Sequence, residues 1–137
     1  MNKAFFLRKE DRNPRWIVID AAGKTLGRLT TDIVETLRGK KSVLFTPHTD
    51  AGDYVVIINA AQVAVTGKKM EQKIYERYTG YIGNRIELTM EQVMKKHPER
   101  IIEHAVKGML PKNRLSRQLM RKLRVYAGDQ HPHQAQV

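Results

Sequence analysis

Two hydrophobic patterns alternate along the first half of the chain. Trp16–Asp20 and Asp53–Asn59 are continuous apolar runs rich in β-branched residues, a pattern typical of buried strands. Between these runs, apolar residues recur at helical steps of three and four: Leu26, Leu29, Ile33 and Leu37. Gly39 is a stop signal for this predicted helix. A buried strand, a helix and a second buried strand together predict a parallel α/β unit.

Shorter elements are predicted for the second half. Val63–Thr66 and Lys73–Thr79 have the pattern of short strands. Thr89, with Gln92 three residues later, forms a capping box that opens a short helix. Pro98 suits the first position of the next helix. The apolar face of that next helix consists of Ile101, Ile102, Ala105, Val106 and Met109.

The two ends of the chain lack these patterns. Residues 1–15 are polar and basic and are predicted to form an extended arm, and residues 128–137 are predicted to form a polar tail. A chain of 137 residues with 41% hydrophobic content suits a single domain with its own core. The chain has no cysteine, no apolar run long enough to span a membrane and no secretory signal pattern. We therefore expect a cytoplasmic protein without disulfides.

Four arginines stand in a segment that contains no acidic residue. Arg114, Arg117, Arg121 and Arg124 recur at steps of three, four and three, which gathers them into one arc of a helix. The leucines between them fall on a separate arc, so Lys112–Arg124 is predicted to be one amphipathic helix, after which the chain returns to the sheet. Like charges at this spacing destabilise an isolated helix by roughly a few tenths of a kcal/mol per pair. This face therefore predicts a polyanionic partner.

The charge of the whole chain supports the same prediction. Twenty-five Lys and Arg against 14 Asp and Glu give a formal net charge of +11 and a sequence pI near 10.1, as in nucleic-acid-binding proteins. Three lysine doublets, at residues 40–41, 68–69 and 95–96, lie near the ends of predicted elements. Basic residues dispersed in this way indicate contacts with folded RNA, whereas a groove reader concentrates its contacts on one recognition element.

Residues that suggest other chemistry do not assemble into a site. Gly23–Thr25 follows a strand and precedes a helix, but a phosphate loop needs a glycine where Val18 stands. Gly80–Gly83 has the spacing of a KH-domain clamp loop without the flanking helices of that fold. His131 and His133 are too few to form a metal site, and we expect them to be exposed or to stack on RNA. No acid, base and nucleophile come together, so the sequence predicts a protein that is not an enzyme and needs no cofactor or metal.

Several collinear segments resemble a known family. They are Trp16–Asp20 running into Gly23–Arg28, Thr46–Tyr54, Val63–Lys68, Tyr78–Gly80, Ala105–Lys112, Leu115 with Arg121–Gly128, and the tail His131–Gln136. Together they resemble the family of ribosomal protein thirteen of the large subunit, in its bacterial type. Asn84 and Ser116 depart from the pattern, because glycine is usual at both positions. These departures concern only the local loop geometry and how closely the backbone approaches RNA.

The resemblance implies a three-layer α/β/α fold around a small, mainly parallel four-stranded sheet. It also implies a structural, cytoplasmic, ribosome-bound component of the large subunit that binds 23S rRNA, joins early in assembly and touches neighbouring ribosomal proteins. It implies no membrane contact and no small-molecule substrate. We expect the following residues to contact RNA: Lys40, Lys41, Lys68, Lys69, Arg77, Tyr78, Arg85, Lys107, Lys112, Arg114, Arg117, Arg121, Lys122 and Arg124.

Two other classes of function stay open from the residues themselves. A nucleotide-dependent α/β enzyme would bind ATP at equilibrium, which we do not expect. A free cytosolic RNA-binding regulator would use the same basic surface but would not copurify with ribosomal particles after a high-salt wash. A membrane-surface protein is less well supported, because the predicted arginine helix presents Leu and Met rather than aromatic residues on its apolar side.

Overall fold

A computed structural model describes residues 5–137, and these residues fold into a mixed α/β domain. The strands are β1 (Trp16–Asp20), β2 (Tyr54–Ile58), β3 (Ile74–Tyr78), β4 (Arg85–Thr89) and β5 (Leu123–Val125). The helices are α1 (Leu26–Arg38), α2 (Lys69–Gln72), α3 (Met90–Lys96), α4 (Glu99–Met109) and α5 (Arg114–Met120), with a 3-10 turn at Ala60–Gln62. The predicted α/β class is confirmed.

The central sheet is parallel and has three strands in the order β1–β2–β5. The central strand is the most buried of the three, because Val55, Val56 and Ile57 are fully inaccessible to solvent. The resemblance implied four strands in this sheet. Val63–Thr66, which we predicted to be a strand, contributes only an isolated parallel bridge between Ala64 and Thr25.

Helices cover one face of this sheet. Alternate residues of the strands, among them Val55 and Ile57, join the buried residues of α1 and α4 in the main core cluster. The opposite face carries Trp16 and Tyr54, which are paired across β1 and β2 and stack with ring centroids 4.5 Å apart. The imidazole of His133, from the C-terminal tail, also stacks on Trp16, with ring centroids 5.0 Å apart. The tail therefore covers part of the face where the implied three-layer fold would place helices.

The connection from α1 to β2 depends on two glycines. Gly39 ends α1 in the left-handed region, with φ at 72°, as predicted for the C-terminus of this helix. Gly52 lies so close to the end of the helix that a Cβ atom there would stand 1.6 Å from the Leu37 carbonyl oxygen. Only glycine permits this approach, which places the loop between residues 39 and 52 directly against α1.

A separate antiparallel hairpin is formed by β3 and β4. Its base packs on a second, smaller core of Met90, Val93 and Ile101. The predicted strand at Lys73–Thr79 is confirmed as β3, but its partner β4 was missed. The alternation of Ile86 and Leu88 with polar residues was the available signal. The capping box at Thr89 is confirmed, with both of its hydrogen bonds present at the start of α3.

The prediction of one helix over Lys112–Arg124 is wrong at its C-terminal end. α5 stops at Met120, and Leu123 already pairs with Val55 in the parallel sheet. The Val55 N–H donates a hydrogen bond to the Lys122 carbonyl oxygen at 3.1 Å. Pairing with the buried central strand thus outweighs the helical periodicity of the sequence, which cannot report a partner so distant along the chain.

The N-terminal arm lies against the domain over the part that the structure describes. Leu7 is buried, and its N–H donates to the Thr46 hydroxyl at 3.3 Å. The Arg15 N–H donates to the Asp53 carboxylate at 2.9 Å. These contacts fix residues 5–15 along the loop that precedes β2, without helix or strand. Residues 1–4 of the predicted arm lie outside the described residues.

Candidate nucleic-acid interface

A groove of about 610 Å³ lies between the C-terminal half of α4 and the start of α5. Its lining carries four cationic side chains: Lys107, Lys112, Arg114 and Arg117. His104 and Asn113 also line it. The groove therefore has basic residues from α4, from α5 and from the segment that joins them.

Local sequence explains how the two walls are held apart. At the end of α4, the Leu110 N–H donates a hydrogen bond to the Val106 carbonyl oxygen at 2.9 Å. Pro111 follows, and proline cannot continue a helix. The Asn113 side chain then accepts a hydrogen bond from the Ser116 N–H at 2.8 Å and opens α5. Leu110 and Leu119 are both buried, so each wall is fixed to the core.

The cations of the groove have no acidic partner among the described residues. None of the ion pairs within residues 5–137 involves Lys107, Lys112, Arg114 or Arg117. All four residues are exposed to solvent. Elsewhere on the surface acids do pair with bases, as Glu91 does with Lys95 at 2.6 Å. The groove thus concentrates positive charge that the fold itself does not neutralise.

The four arginines do not share one arc. Arg114 and Arg117 line the groove, and Arg121 is exposed at the C-terminal cap of α5. Arg124 lies on β5, opposite Val56 in the register, and is exposed on the sheet face that carries Trp16. The predicted common face is therefore wrong for Arg124, because the helix ends before it.

Lys122 occupies a place unlike that of the other predicted RNA contacts. Its ammonium group lies 2.7 Å from the Asp50 carboxylate and donates to the Gly52 carbonyl oxygen at 2.9 Å. The Lys122 and Asp50 side chains are only 12% and 11% exposed. The amine therefore ties β5 to the loop before β2, and its hydrogen bonds are used within the protein.

None of the lysine doublets lines the groove itself. Lys40 and Lys41 are exposed just after α1, where Lys41 approaches Asp32 at 3.9 Å. Lys68 and Lys69 are exposed at the start of α2, and Lys69 lines a different cavity of about 590 Å³ that also contains Tyr75. That cavity borders the groove, because His104 lines both of them, whereas Lys40 and Lys41 line neither.

The hairpin carries the remaining predicted contacts. Arg77 and Tyr78 are consecutive on β3, so their side chains point to opposite faces, and both are exposed. The Arg85 guanidinium lies 2.7 Å from Glu76 and 2.6 Å from Glu87. Two carboxylates therefore engage this arginine, and it differs in this respect from the groove cations.

Sequence reasoning missed His104 and Asn113 as groove residues and misplaced the histidines of the tail. His104 stands three residues before Lys107 on α4, and this helical spacing was the signal that could have included it. His133 is half-buried, and its Nε2 lies 2.9 Å from the Tyr126 hydroxyl. Our expectation of an exposed tail histidine is wrong for His133, because its partners Trp16 and Tyr126 come from distant strands.

Asp20, an acidic residue, stands at the turn after β1, where a phosphate loop would bind phosphate. The Asp20 carboxylate accepts hydrogen bonds from the Ala22 N–H at 3.0 Å and from the Asn59 side chain at 2.9 Å. The hydrogen bond from Ala22 and then the one from Asn59 lower the pKa of Asp20 below its ordinary value. A charged carboxylate beside Gly23 repels phosphate and disfavours a nucleotide there.

Residues 5–137 contain neither a candidate metal site nor a candidate membrane span. In that part of the chain, no group of three His, Asp or Glu side chains is placed to hold a metal ion. No helix in the same range combines the length and the apolar character needed to cross a membrane.

The Asn113 cap makes a testable contribution to the groove. Replacing Asn113 with alanine leaves the Ser116 N–H without its acceptor, and we expect the free energy of unfolding to fall by about 1 kcal/mol. Urea unfolding followed by circular dichroism measures this change. Asn113→Ser retains a capping oxygen and should lie within about 0.5 kcal/mol of the unmodified chain. Equal losses in both variants would contradict the role of the cap.

The chain is similar to known proteins over nearly its whole length. The sequence profile of the family described as ribosomal protein L13 matches residues 14–132. Large ribosomal subunit protein uL13 of Stenotrophomonas maltophilia strain K279a is 55% identical over 132 residues, which are 96% of this chain and 93% of the relative. The uL13 protein of Agathobacter rectalis is 54% identical over 134 residues, or 98% of this chain and 94% of the relative.

A third relative, the uL13 protein of Symbiobacterium thermophilum, is 52% identical over 136 residues, which are 99% of this chain and 95% of that protein. All three relatives come from bacteria, and all three are ribosomal proteins rather than enzymes. The family resemblance that the sequence motifs carried is thereby confirmed. Since the family profile spans most of the chain and these relatives align over nearly its whole length, the chain belongs to the ribosomal protein L13 family.

Proposed function

We propose that this protein is a structural component of the large ribosomal subunit that binds 23S rRNA through the groove between α4 and α5. The observation that carries the proposal is the set of four exposed cations in that groove without an acidic partner among the described residues. The names of its relatives support the ribosomal part of the proposal. It acts by binding and by holding the RNA fold, without a catalytic step.

The groove has the chemistry of a phosphate-backbone site. Arginine offers a planar fork of donors to phosphate oxygens, and lysine offers a compact charge. Lys107 comes from the wall opposite Arg117, so a strand of RNA lying in the groove meets cations on both sides. Such contacts position the protein on the RNA without reading its sequence. His104 adds a ring on which an unstacked base can lie.

The other predicted contacts form a second, weaker part of the proposed surface. Exposed cations outside the groove lie on several sides of the domain: Lys40, Lys41, Lys68, Lys69, Arg77, Arg121 and Arg124. Tyr78 belongs to the same proposed surface, where its exposed ring can stack on a base. We leave Lys122 and Arg85 out of the proposed RNA-binding surface, since carboxylates of the protein already engage both. Contacts on several sides suit a protein embedded in folded RNA.

We further propose that the protein acts in the cytoplasm on the assembling subunit, joins early and contacts neighbouring large-subunit proteins. Support for an early role is that Leu110 and Leu119 anchor both walls of the groove in the domain's own core. Sedimentation tests the assignment. The protein should remain with the large subunit after a high-salt wash, whereas a free RNA-binding regulator would be released to the top of the gradient.

The salt dependence of binding is the first quantitative test. If about five to eight phosphates are neutralised, the logarithm of the affinity should fall with the logarithm of salt concentration at a slope of about −4 to −7. Filter binding to fragments of large-subunit rRNA at increasing potassium chloride measures the slope. A slope near zero would show that phosphate contacts do not drive binding.

A further inference from the structure

Gly108 lies on the face of α4 that lines the groove. It follows His104 by four residues and comes directly after Lys107, and all three residues line the groove, as expected for one face of a helix. Gly108 is exposed to solvent in the last turn of α4. A side chain at position 108 would therefore extend into the groove.

The described part of the fold gives no steric reason for a glycine here. Gly108 lacks the positive φ that Gly39 and four other glycines adopt. Beyond its own helix and its chain neighbours, a Cβ atom at Gly108 would have nothing within 4 Å, whereas a Cβ atom at Gly52 would collide with the Leu37 carbonyl. Alanine would fit at position 108 and stabilises a helix more than glycine does. The missing side chain leaves space for a ligand to approach the helix backbone closely.

The backbone at this point also has carbonyl oxygens without a backbone donor. In a continuous helix, the Lys107 carbonyl would accept a hydrogen bond from residue 111, but Pro111 has no N–H. The Leu110 N–H donates to the Val106 carbonyl oxygen instead. Within residues 5–137, no N–H beyond the end of α4 donates to the Gly108 carbonyl oxygen either. Two acceptors at the end of α4 are therefore free to bind a donor from a ligand.

These acceptors determine which part of an RNA strand suits this point. The carbonyl end of a helix carries a partial negative charge, which repels a phosphate and favours a hydrogen-bond donor. The ribose 2′-hydroxyl is such a donor, and it is the group that distinguishes RNA from DNA. The phosphates on either side of that ribose can bind Lys107 and Lys112, which are exposed in the same groove.

We propose that a ribose of the bound rRNA packs against the backbone of α4 at Gly108, where its 2′-hydroxyl donates to the carbonyl oxygen of Lys107 or Gly108. The proposal rests on the proposed function, because it takes RNA as the ligand of the groove. It adds that this point of the groove recognises ribose, and so selects RNA over DNA, while the cations around it bind phosphate.

The change Gly108→Ala is the central test, because the proposal predicts opposite effects on stability and on binding. Alanine should raise the melting temperature by roughly 1–4 °C, through its higher helix propensity. It should lower the affinity for large-subunit rRNA fragments at least about fivefold, because the methyl group displaces the ribose and breaks its hydrogen bond. Thermal unfolding and filter binding measure the two effects.

Gly27→Ala is the matched control. Gly27 is also an exposed glycine within a helix, without positive φ and with nothing within 4 Å of a Cβ atom built on it. It does not line the groove. Alanine at position 27 should also raise the melting temperature, and it should leave the rRNA affinity unchanged.

Interference mapping then identifies the ribose. Fragments of large-subunit rRNA that carry random 2′-deoxy substitutions are selected for binding by the unmodified chain and by the Gly108→Ala variant. We expect one nucleotide at which the loss of the 2′-hydroxyl weakens binding to the unmodified chain and has no effect on binding to the variant.

Several results would overturn the proposal at Gly108. They are an unchanged affinity in Gly108→Ala, an equal loss of affinity in Gly27→Ala, a fall in both stability and affinity in Gly108→Ala, or the absence of a nucleotide with the expected deoxy effect. Failure of the unmodified chain to bind the rRNA fragments would instead count against the proposed function.

Discussion

Replacing Arg114 and Arg117 together with glutamate is expected to weaken binding to large-subunit rRNA at least about a hundredfold, because a charge-assisted hydrogen bond contributes roughly 1.5–3 kcal/mol. Both side chains line the groove, are exposed and make no ion pair with the described residues. Each reversal removes a phosphate contact and adds a repulsive charge. Filter binding at fixed salt measures the affinity, and incorporation into large subunits measures assembly, which should fall in parallel.

The same double variant should fold normally. Arg114 is in the first turn of α5 and Arg117 is in its last turn, so the effects of glutamate on the helix dipole oppose each other. We expect the melting temperature to change by less than about 3 °C, which corresponds to under about 1 kcal/mol in a domain of this size.

A matched control carries the same change of charge elsewhere. Arg28→Glu with Arg100→Glu alters two exposed residues outside the groove and should lower the rRNA affinity less than about tenfold, through the general field alone. Equal losses in the two double variants would mean that net charge matters and the groove does not. A collapse of the fold with rRNA affinity intact would show that the arginines are structural.

Replacing Asp50 with alanine is expected to lower the free energy of unfolding by about 3 kcal/mol, because it leaves a buried ammonium group without its counter-charge. The Lys122 amine lies 2.7 Å from Asp50, and both side chains are almost entirely buried. For a domain of this size, the loss corresponds to a fall of about 10 °C in the melting temperature. Thermal unfolding followed by circular dichroism measures it.

The double variant Asp50→Ala with Lys122→Met separates the effect of an unpaired buried charge on stability from the effect of altered packing at this site. Removing both charges avoids an unpaired buried ion, so at least half of the lost stability should return. Its rRNA affinity should stay within about threefold of the unmodified chain, since the Lys122 amine is bonded to Asp50 and Gly52 in the folded protein. A large loss of affinity in a stable double variant would restore Lys122 to the predicted RNA contacts.

The outcome for α1 shows which parts of the fold the sequence could specify. The helix begins and ends where the apolar spacing and Gly39 predict, because the signals for a helix lie within a few residues of one another. The strand at Trp16–Asp20 and the capping box at Thr89 were predicted for the same reason. The family could also be recognised from the sequence, because its motifs are short and collinear.

The position of Lys122 could not be predicted from the sequence, because it depends on contacts between distant segments. Its neighbours Arg121 and Arg124 are exposed, and nothing local to the segment distinguishes Lys122 from them. Its partner Asp50 is far away along the chain and reaches it only because β5 pairs with β2. The misplaced end of α5 and the stacking of His133 on Trp16 have the same cause.

For the interface, the sequence by itself determined the chemistry and the tertiary structure decided the geometry. The excess of Lys and Arg, and the absence of acids around the arginines, followed from composition and spacing alone. Which cations line one groove depends on how α4 and α5 are fixed to the core through Leu110 and Leu119. Which cations are neutralised depends on acids that the fold brings from distant segments, since charge interactions act through space and not along the chain.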